Sequence, residues 1–275
     1  MAAGEPTLLP IAGLGARVAV RVIGSGPAVL VLHGGGPGCS AETDFGALVP
    51  DLVVDRQVVM LDLPRYGASD FPPIVGPVLD FHADVVVAVL DELGLAQVDV
   101  VGQSLGGCVG MDLAARHPTR VRRIVATSSQ PVAHPSSNTA IGRQARARLY
   151  GGVGPTVPKM RRLVSRLEWW DPDAVPEATV MARFANSSRP EAVASMASPD
   201  GHGTAQDLAE LLPRVAAPTL VVFGRHDPFA PPAYARHVAA SLPTGRAHIV
   251  DRTAHHPQEE RPREYLRVVQ RFLDP

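Results

Sequence analysis

Hydrophobic and polar positions along the 275 residues fall into two rhythms. In the first, short apolar runs alternate with stretches whose apolar residues recur every three or four positions. RVAVRVI (17–23) reads as a strand closed by the Gly24-Ser25-Gly26-Pro27 turn. AVLVL (28–32) is apolar without a break, as strands covered on both faces are. QVVMLDL (57–63), VDVV (98–101) and RIVAT (123–127) are three more strands. Between them, residues 80–93 have helical spacing up to Gly94, and 105–116 are helical up to the His117-Pro118 stop. This βαβ alternation predicts an α/β fold, a mostly parallel sheet with helices on both faces. The second rhythm covers residues 131–213, where arginine-rich helical patterns (141–150, 159–169, 176–185) are separated by proline and glycine. The first then resumes with TLVVF (219–223), a helix near 233–242, AHIV (247–250) and a last helix over 263–273. The expected organisation is a core made of residues 1–130 and 214–275, interrupted by a helical cap of residues 131–213. Insertions of that length usually carry function.

Composition removes several classes of function. A formal net charge of -1 leaves no broad basic surface for nucleic acid. No apolar run approaches the length of a membrane span, and the first twenty residues lack a basic segment followed by an apolar one, so no signal peptide is expected. Cys39 and Cys108 are too few for a disulfide scaffold and suit a reducing interior. The expectation is a cytoplasmic globular protein whose partner is a small-molecule substrate, with neither nucleic acid nor membrane; a homodimer is possible.

The candidate chemistry starts at Gly102-Gln103-Ser104-Leu105-Gly106-Gly107. It fits G-x-S-x-G and sits directly between a strand and a helix, the context of a nucleophile elbow. A serine on such a turn needs small neighbours, and the helix N-terminus behind it favours developing negative charge. A hydroxyl is a poor nucleophile alone, so a base and an orienting acid are required, in the chain order Ser, acid, His. Asp227 follows the TLVVF strand in GRHDP, and the loop after AHIVD offers His255 or His256 as the imidazole. The third requirement is a set of oxyanion donors. His33-Gly34-Gly35-Gly36-Pro37-Gly38 follows AVLVL as an HGGG-type loop should, and the N–H groups of Gly35 and Leu105 are the expected pair. The glycine run matches no phosphate-binding pattern, and neither H-E-x-x-H nor C-x-x-C occurs. No cofactor and no metal are expected.

HGGGPG (33–38), DLPRYGASD (62–70), GQSLGG (102–107), GRHDPFAP (224–231) and AHHPQEERP (254–262) occur in one order, and together they resemble the α/β-hydrolase superfamily over nearly the whole chain. HGGGPG with GQSLGG and a helical cap looks most like the meta-cleavage product hydrolases. Those enzymes break a carbon–carbon bond in 2-hydroxy-6-oxo-hexadienoate-type products of aromatic ring fission. The resemblance implies a triad of Ser104, Asp227 and His255. It also implies substrate contacts at Gly36, Asp44, Gln103, Arg183 and His256, with Arg183 (in VMARFAN) assisting the dienolate end. The chain departs from that pattern at four places. His256 stands where tryptophan is usual, Gln103 and Asp44 where asparagines are, and Arg65 where glycine is. Three of these changes gather at one end of the implied ligand, which suggests a shifted substrate while leaving the hydrolytic machinery untouched.

The leading expectation is therefore serine-dependent cleavage of a vinylogous diketone. A carboxylesterase or lactonase is the alternative, for which neither Arg183 nor His256 is required. A lyase or cyclase, or a binding protein on this fold, is a more distant one. Serine at the elbow speaks against haloalkane dehalogenases and epoxide hydrolases, which use aspartate there. Trp169, Trp170 and Phe184 either line a pocket or pack the cap, and the scarcity of aromatic residues predicts a mostly aliphatic pocket.

Overall fold

A computed structural model describes residues 5–198 and 200–274. The described residues contain ten strands: β1 (Thr7–Ile11), β2 (Ala16–Gly24), β3 (Ala28–Leu32), β4 (Gln57–Leu61), β5 (Ile74–Pro77), β6 (Val98–Gln103), β7 (Val121–Thr127), β8 (His202–Thr204), β9 (Thr219–Gly224) and β10 (Gly245–Val250). Eight of them form one sheet in the order β1-β2-β4-β3-β6-β7-β9-β10. The β1/β2 and β2/β4 pairs are antiparallel, and every pair from β4 to β10 is parallel. The central strands β3 and β6 are buried along their whole length, which explains their unbroken apolar runs. One apolar cluster covers one face of the sheet, packed by the helices Val78–Glu92, Leu105–Arg116 and Pro232–Ala240. A second, with Phe45, Tyr265 and Val269, covers the other. No helix among the described residues is long and apolar enough to cross a membrane.

Between β7 and β9 the chain leaves the sheet and forms the helices Thr139–Tyr150, Val157–Leu163, Glu177–Ser187 and Pro190–Ala197. A wider turn, Val164–Glu168, extends the second of them. Leu149, Met160, Leu163, Val164, Trp169 and Val180 give this cap a small core of its own. Leu208 and Leu212 instead pack in the main core, with Leu208 N–H donating to Pro131 O, so packing returns to the sheet before residue 213. The short strand β8 pairs with β5 of the core, an element that its polar sequence does not announce.

Candidate active site

The carboxyl ends of β3 and β6 lie side by side, with Leu32 paired to Gly102. In open α/β sheets this end gathers ligands. Ser104, immediately after β6, has φ 48° and ψ -108°, a left-handed backbone that a side chain rarely adopts. The flanking glycines make the turn feasible. A Cβ on Gly102 would lie 2.4 Å from the Gly106 carbonyl carbon, and one on Gly106 would lie 2.1 Å from Leu32 O. Backbone bonds fix the turn on both sides, from Ser104 N–H to Thr127 O (2.7 Å) and from Gly106 N–H to His33 O (3.1 Å).

The loops after β9 and β10 are laced together by Arg225 N–H to Val250 O and His226 N–H to Thr253 O. That lacing brings two distant sequence segments to one hydrogen bond. Asp227 Oδ2 accepts from His255 Nδ1 at 3.0 Å, and Asp227 Oδ1 accepts from Phe229 N–H at 2.9 Å. Both side chains are buried, and the Phe229 ring packs 4.3 Å from the His255 ring. With Nδ1 carrying the proton, Nε2 of a neutral His255 is free to accept one. Ser104, His255, His256, Gln103, Gly35, Gly36 and Arg146 line one cavity of about 230 Å³. Among the described residues, the N–H groups of Gly35 and Leu105 donate to no protein acceptor. His33 braces the glycine loop between them: its Nδ1–H donates to Gly34 O (2.7 Å) and its Nε2 accepts from Leu63 N–H (2.9 Å).

The residues expected to contact substrate separate into two groups. Gly36, Gln103 and His256 line the cavity. Gln103 also donates from Nε2 to His255 O at 3.1 Å, which ties the elbow to the histidine loop. Asp44 and Arg183 do not line it. Asp44 is buried and accepts from Gly34 N–H (2.7 Å) and the Thr43 hydroxyl (2.9 Å), so its carboxylate braces the glycine loop. Arg183, 1% exposed, donates from Nε and Nη2 to Pro37 O (3.0 and 2.9 Å) and pairs with the carboxylate of Glu168. The positive charge assigned to a dienolate is thus already neutralised by a cap glutamate. His256 lies between two carboxylates, 3.3 Å from Glu168 Oε2 and 2.8 Å from Glu259 Oε1. Burial pulls its pKa down, but the two glutamates outweigh that and hold it well above the usual histidine range. Burial likewise raises Glu168, and Arg183 with His256 outweighs it, leaving this carboxyl well below its ordinary value. One ligand atom each of Asp44, His256 and Glu259 lie within 4.8 Å of one another. Both nitrogens of His256 are engaged with carboxylates, so the cluster serves as a charge-paired histidinium.

Sequence reasoning missed Glu168 and Arg146. Glu168 sits at the end of an irregular turn and carries no local signal. Arg146 was detectable, because Gly142, Arg146 and Tyr150 recur every four residues on one helix face and all three line the site's cavities. Its Nη2 donates to Gly35 O at 2.9 Å. Trp169 and Phe184 pack the cap's own core, and Trp170 stacks on His226 at 3.9 Å.

The alpha/beta hydrolase fold family matches residues 27–262. The chain is 31% identical over 272 residues to a 2-hydroxymuconate semialdehyde hydrolase of Pseudomonas sp. (strain CF600), covering 96% of this chain and 92% of that one. It is 28% identical over 257 residues to a 2-hydroxy-6-oxononadienedioate/2-hydroxy-6-oxononatrienedioate hydrolase of Cupriavidus pinatubonensis, covering 89% and 86%. Two solved structures share the fold. A meta-cleavage product hydrolase from Pseudomonas fluorescens gives a TM-score of 0.81 at 22% identity, with 96% of each chain covered. A thermophilic esterase from Thermogutta terrifontis gives 0.79 at 22% identity, covering 98% of this chain and 97% of that one.

Proposed function

The chain belongs to the alpha/beta hydrolase fold family, and from that premise we propose that it is a serine hydrolase cleaving a carbon–carbon bond in a vinylogous diketone of meta-cleavage product type. The observation that carries this reading is the convergence, beside one cavity, of Ser104 on its strained turn, the Asp227–His255 pair and the N–H groups of Gly35 and Leu105, which have no protein acceptor among the described residues. Relatives named for hydrolysis of 2-hydroxymuconate semialdehyde and of 2-hydroxy-6-oxononadienedioate supply the substrate class.

In the proposed mechanism the dienol first ketonises, so that a stabilised enolate can later leave. His255, oriented by Asp227, takes the Ser104 proton, and Oγ attacks the remote carbonyl. The oxyanion forms against the N–H groups of Gly35 and Leu105, which need no reorganisation to receive it. Collapse breaks the C–C bond and its electron pair leaves as the conjugated enolate, which takes up the proton from His255, and water activated by the same histidine clears the acyl-enzyme. The histidinium of His256 lines the cavity with its charge paired to Glu168 and Glu259, and Arg183 is held behind it. Both cysteines are buried and free, which suits a cytoplasmic setting.

The neutralisation of Arg183 by Glu168 specifically favours a second reading, a carboxylesterase or lactonase, because an alkoxide leaving group needs no such cation. One experiment separates the two. A coloured ring-fission dienoate is mixed with the protein and its visible absorbance followed, with Ser104→Ala as control. Decay with wild type alone supports C–C hydrolysis. Hydrolysis of aryl esters without decay of the dienoate replaces it with the ester reading.

A further inference from the structure

A second cavity of about 270 Å³ adjoins the first, and the two share Gly35, Gly36, Pro37, Cys39 and Arg146. Its walls differ sharply in charge. They carry Arg65, Arg146, His82 and His202, and no carboxylate. Elsewhere the buried arginines are paired, Arg183 with Glu168 and Arg56 with Asp99. Arg65 and Arg146 make no ion pair among the described residues. Arg65 donates to Gly201 O and Ser195 Oγ and lies 3.2 Å from His202 Nδ1, while Arg146 donates to Gly35 O. Burial, with the charge of Arg146 added, pushes the Arg65 guanidinium below its ordinary value. His82, 1% exposed, also lines the cavity, and burial pulls its pKa down to about 3, so it is a neutral part of the wall. Arg65 itself has φ 74°, a left-handed backbone kept at a cost by a long side chain. Two guanidiniums without a carboxylate partner line one cavity, an arrangement that an anion completes.

We propose that this cavity is a carboxylate-binding subsite for the acyl portion of the substrate, gripped by Arg65 and Arg146. The inference rests on Ser104 as the reacting centre and deepens that reading. The orientation follows from proton traffic. The leaving group must receive a proton from His255, so it occupies the cavity that His255 lines. A carbonyl whose oxygen meets the N–H groups of Gly35 and Leu105 then sends its acyl chain into the second cavity, which Leu105 lines and Gly35 shares with the first. The substrate is thus an acid whose acyl chain ends in a carboxylate, and the released product is a dicarboxylic acid.

The test compares kcat/KM for mono-4-nitrophenyl glutarate and 4-nitrophenyl pentanoate, which differ in the charge at the acyl terminus. Wild type is expected to prefer the charged ester by roughly tenfold or more, the worth of one charge-assisted contact. Arg65→Met is expected to abolish that ratio and Arg65→Lys to keep part of it. Arg65→Gly, which removes the side chain and the backbone strain together, serves if the Met variant fails to fold. A wild-type ratio near one, or a ratio unchanged within twofold in the variants, overturns the proposal. Inorganic phosphate is the remaining arm: Arg65-dependent inhibition of pentanoate hydrolysis with no preference for the charged ester would mark a free-anion site and overturn the substrate role. Ring-fission dienoates with and without a terminal carboxylate, run beside the esters, keep the two readings apart. Failure on both dienoates with a charged-ester preference intact removes only the C–C chemistry.

Discussion

At the scale of single residues, the site trades backbone comfort for placement. Ser104 occupies a left-handed turn that disfavours a side chain by roughly 1 kcal/mol. Ser104→Gly is therefore expected to raise stability by about that free energy, seen as a higher melting temperature, while ending hydrolysis and labelling by a fluorophosphonate. A lower melting temperature in this variant would show that the turn stores no strain. The elbow was legible because its chemistry is local: a strand, a small-residue turn and a helix stand next to each other in the sequence. Asp227 and His255 were legible for the same reason, each just beyond its strand. Asp44 and Gln103 were less so. Their letters depart from the resembled family, and sequence comparison reads such changes as ligand contacts. The structure turns Asp44 into a brace for Gly34 and gives Gln103 a second role holding the His255 backbone. Which way a short polar side chain faces depends on neighbours far along the chain.

At the scale of elements, the helix Leu105–Arg116 shows what periodicity conveys and what it hides. Its ends match the sequence pattern, because Ser104 and the His117-Pro118 stop bound it. The burial of Asp112 in its middle does not follow from the pattern. Asp112 Oδ1 has no partner, Oδ2 sits 3.4 Å from Arg116, and Asp80 and Asp84 of the helix Val78–Glu92 lie nearby. Burial pushes this carboxyl up to about 6, against the pull of Arg116. A carboxyl raised on folding destabilises the fold at pH values above its folded pKa, and the penalty fades as pH falls from about 6 to about 4. Asp112→Asn is therefore expected to be more stable than wild type by about 1–2 kcal/mol at pH 8 and by much less at pH 4.5. Thermal denaturation at both pH values checks this; an equal gain at the two would show that folding does not raise the Asp112 carboxyl. The elements that periodicity missed are the short and exposed ones. The strand β8 and the helix Pro190–Ala197 bury little apolar surface, and the strand's pairing partner β5 lies far away in sequence.

At the scale of the whole molecule, cap and core meet across buried charge. The cap's apolar core is separate from the two that cover the sheet. Its junction at the active site is polar. Arg183 reaches Pro37 O, Asn186 Nδ2 donates to Gly38 O at 3.0 Å, and Trp170 N–H donates to Glu260 Oε2 at 2.7 Å. Glu168 stands at the centre. Its carboxylate holds Arg183 of the cap and His256 of the core, and its backbone carbonyl accepts from His255 N–H at 2.9 Å. Removing one member of a buried pair leaves the other uncompensated, whereas replacing both with neutral groups of similar size costs much less. Glu168→Gln is thus expected to lose about 3–5 kcal/mol of stability, and Glu168→Gln with Arg183→Met to recover most of it. The histidinium adds a pH signature. A raised histidine pKa contributes stability that is full below the unfolded value and is lost as pH rises through the folded one. Glu168→Gln weakens that partner, so the alkaline fall in melting temperature should begin at lower pH than in wild type. Additive losses in the two single variants and the pair would mean that Glu168 and Arg183 act separately, and the cap would then be held by its backbone contacts alone. A recovered double variant that still hydrolyses esters but not dienoates would assign this junction a second task, carrying the charge that the carbon leaving group needs.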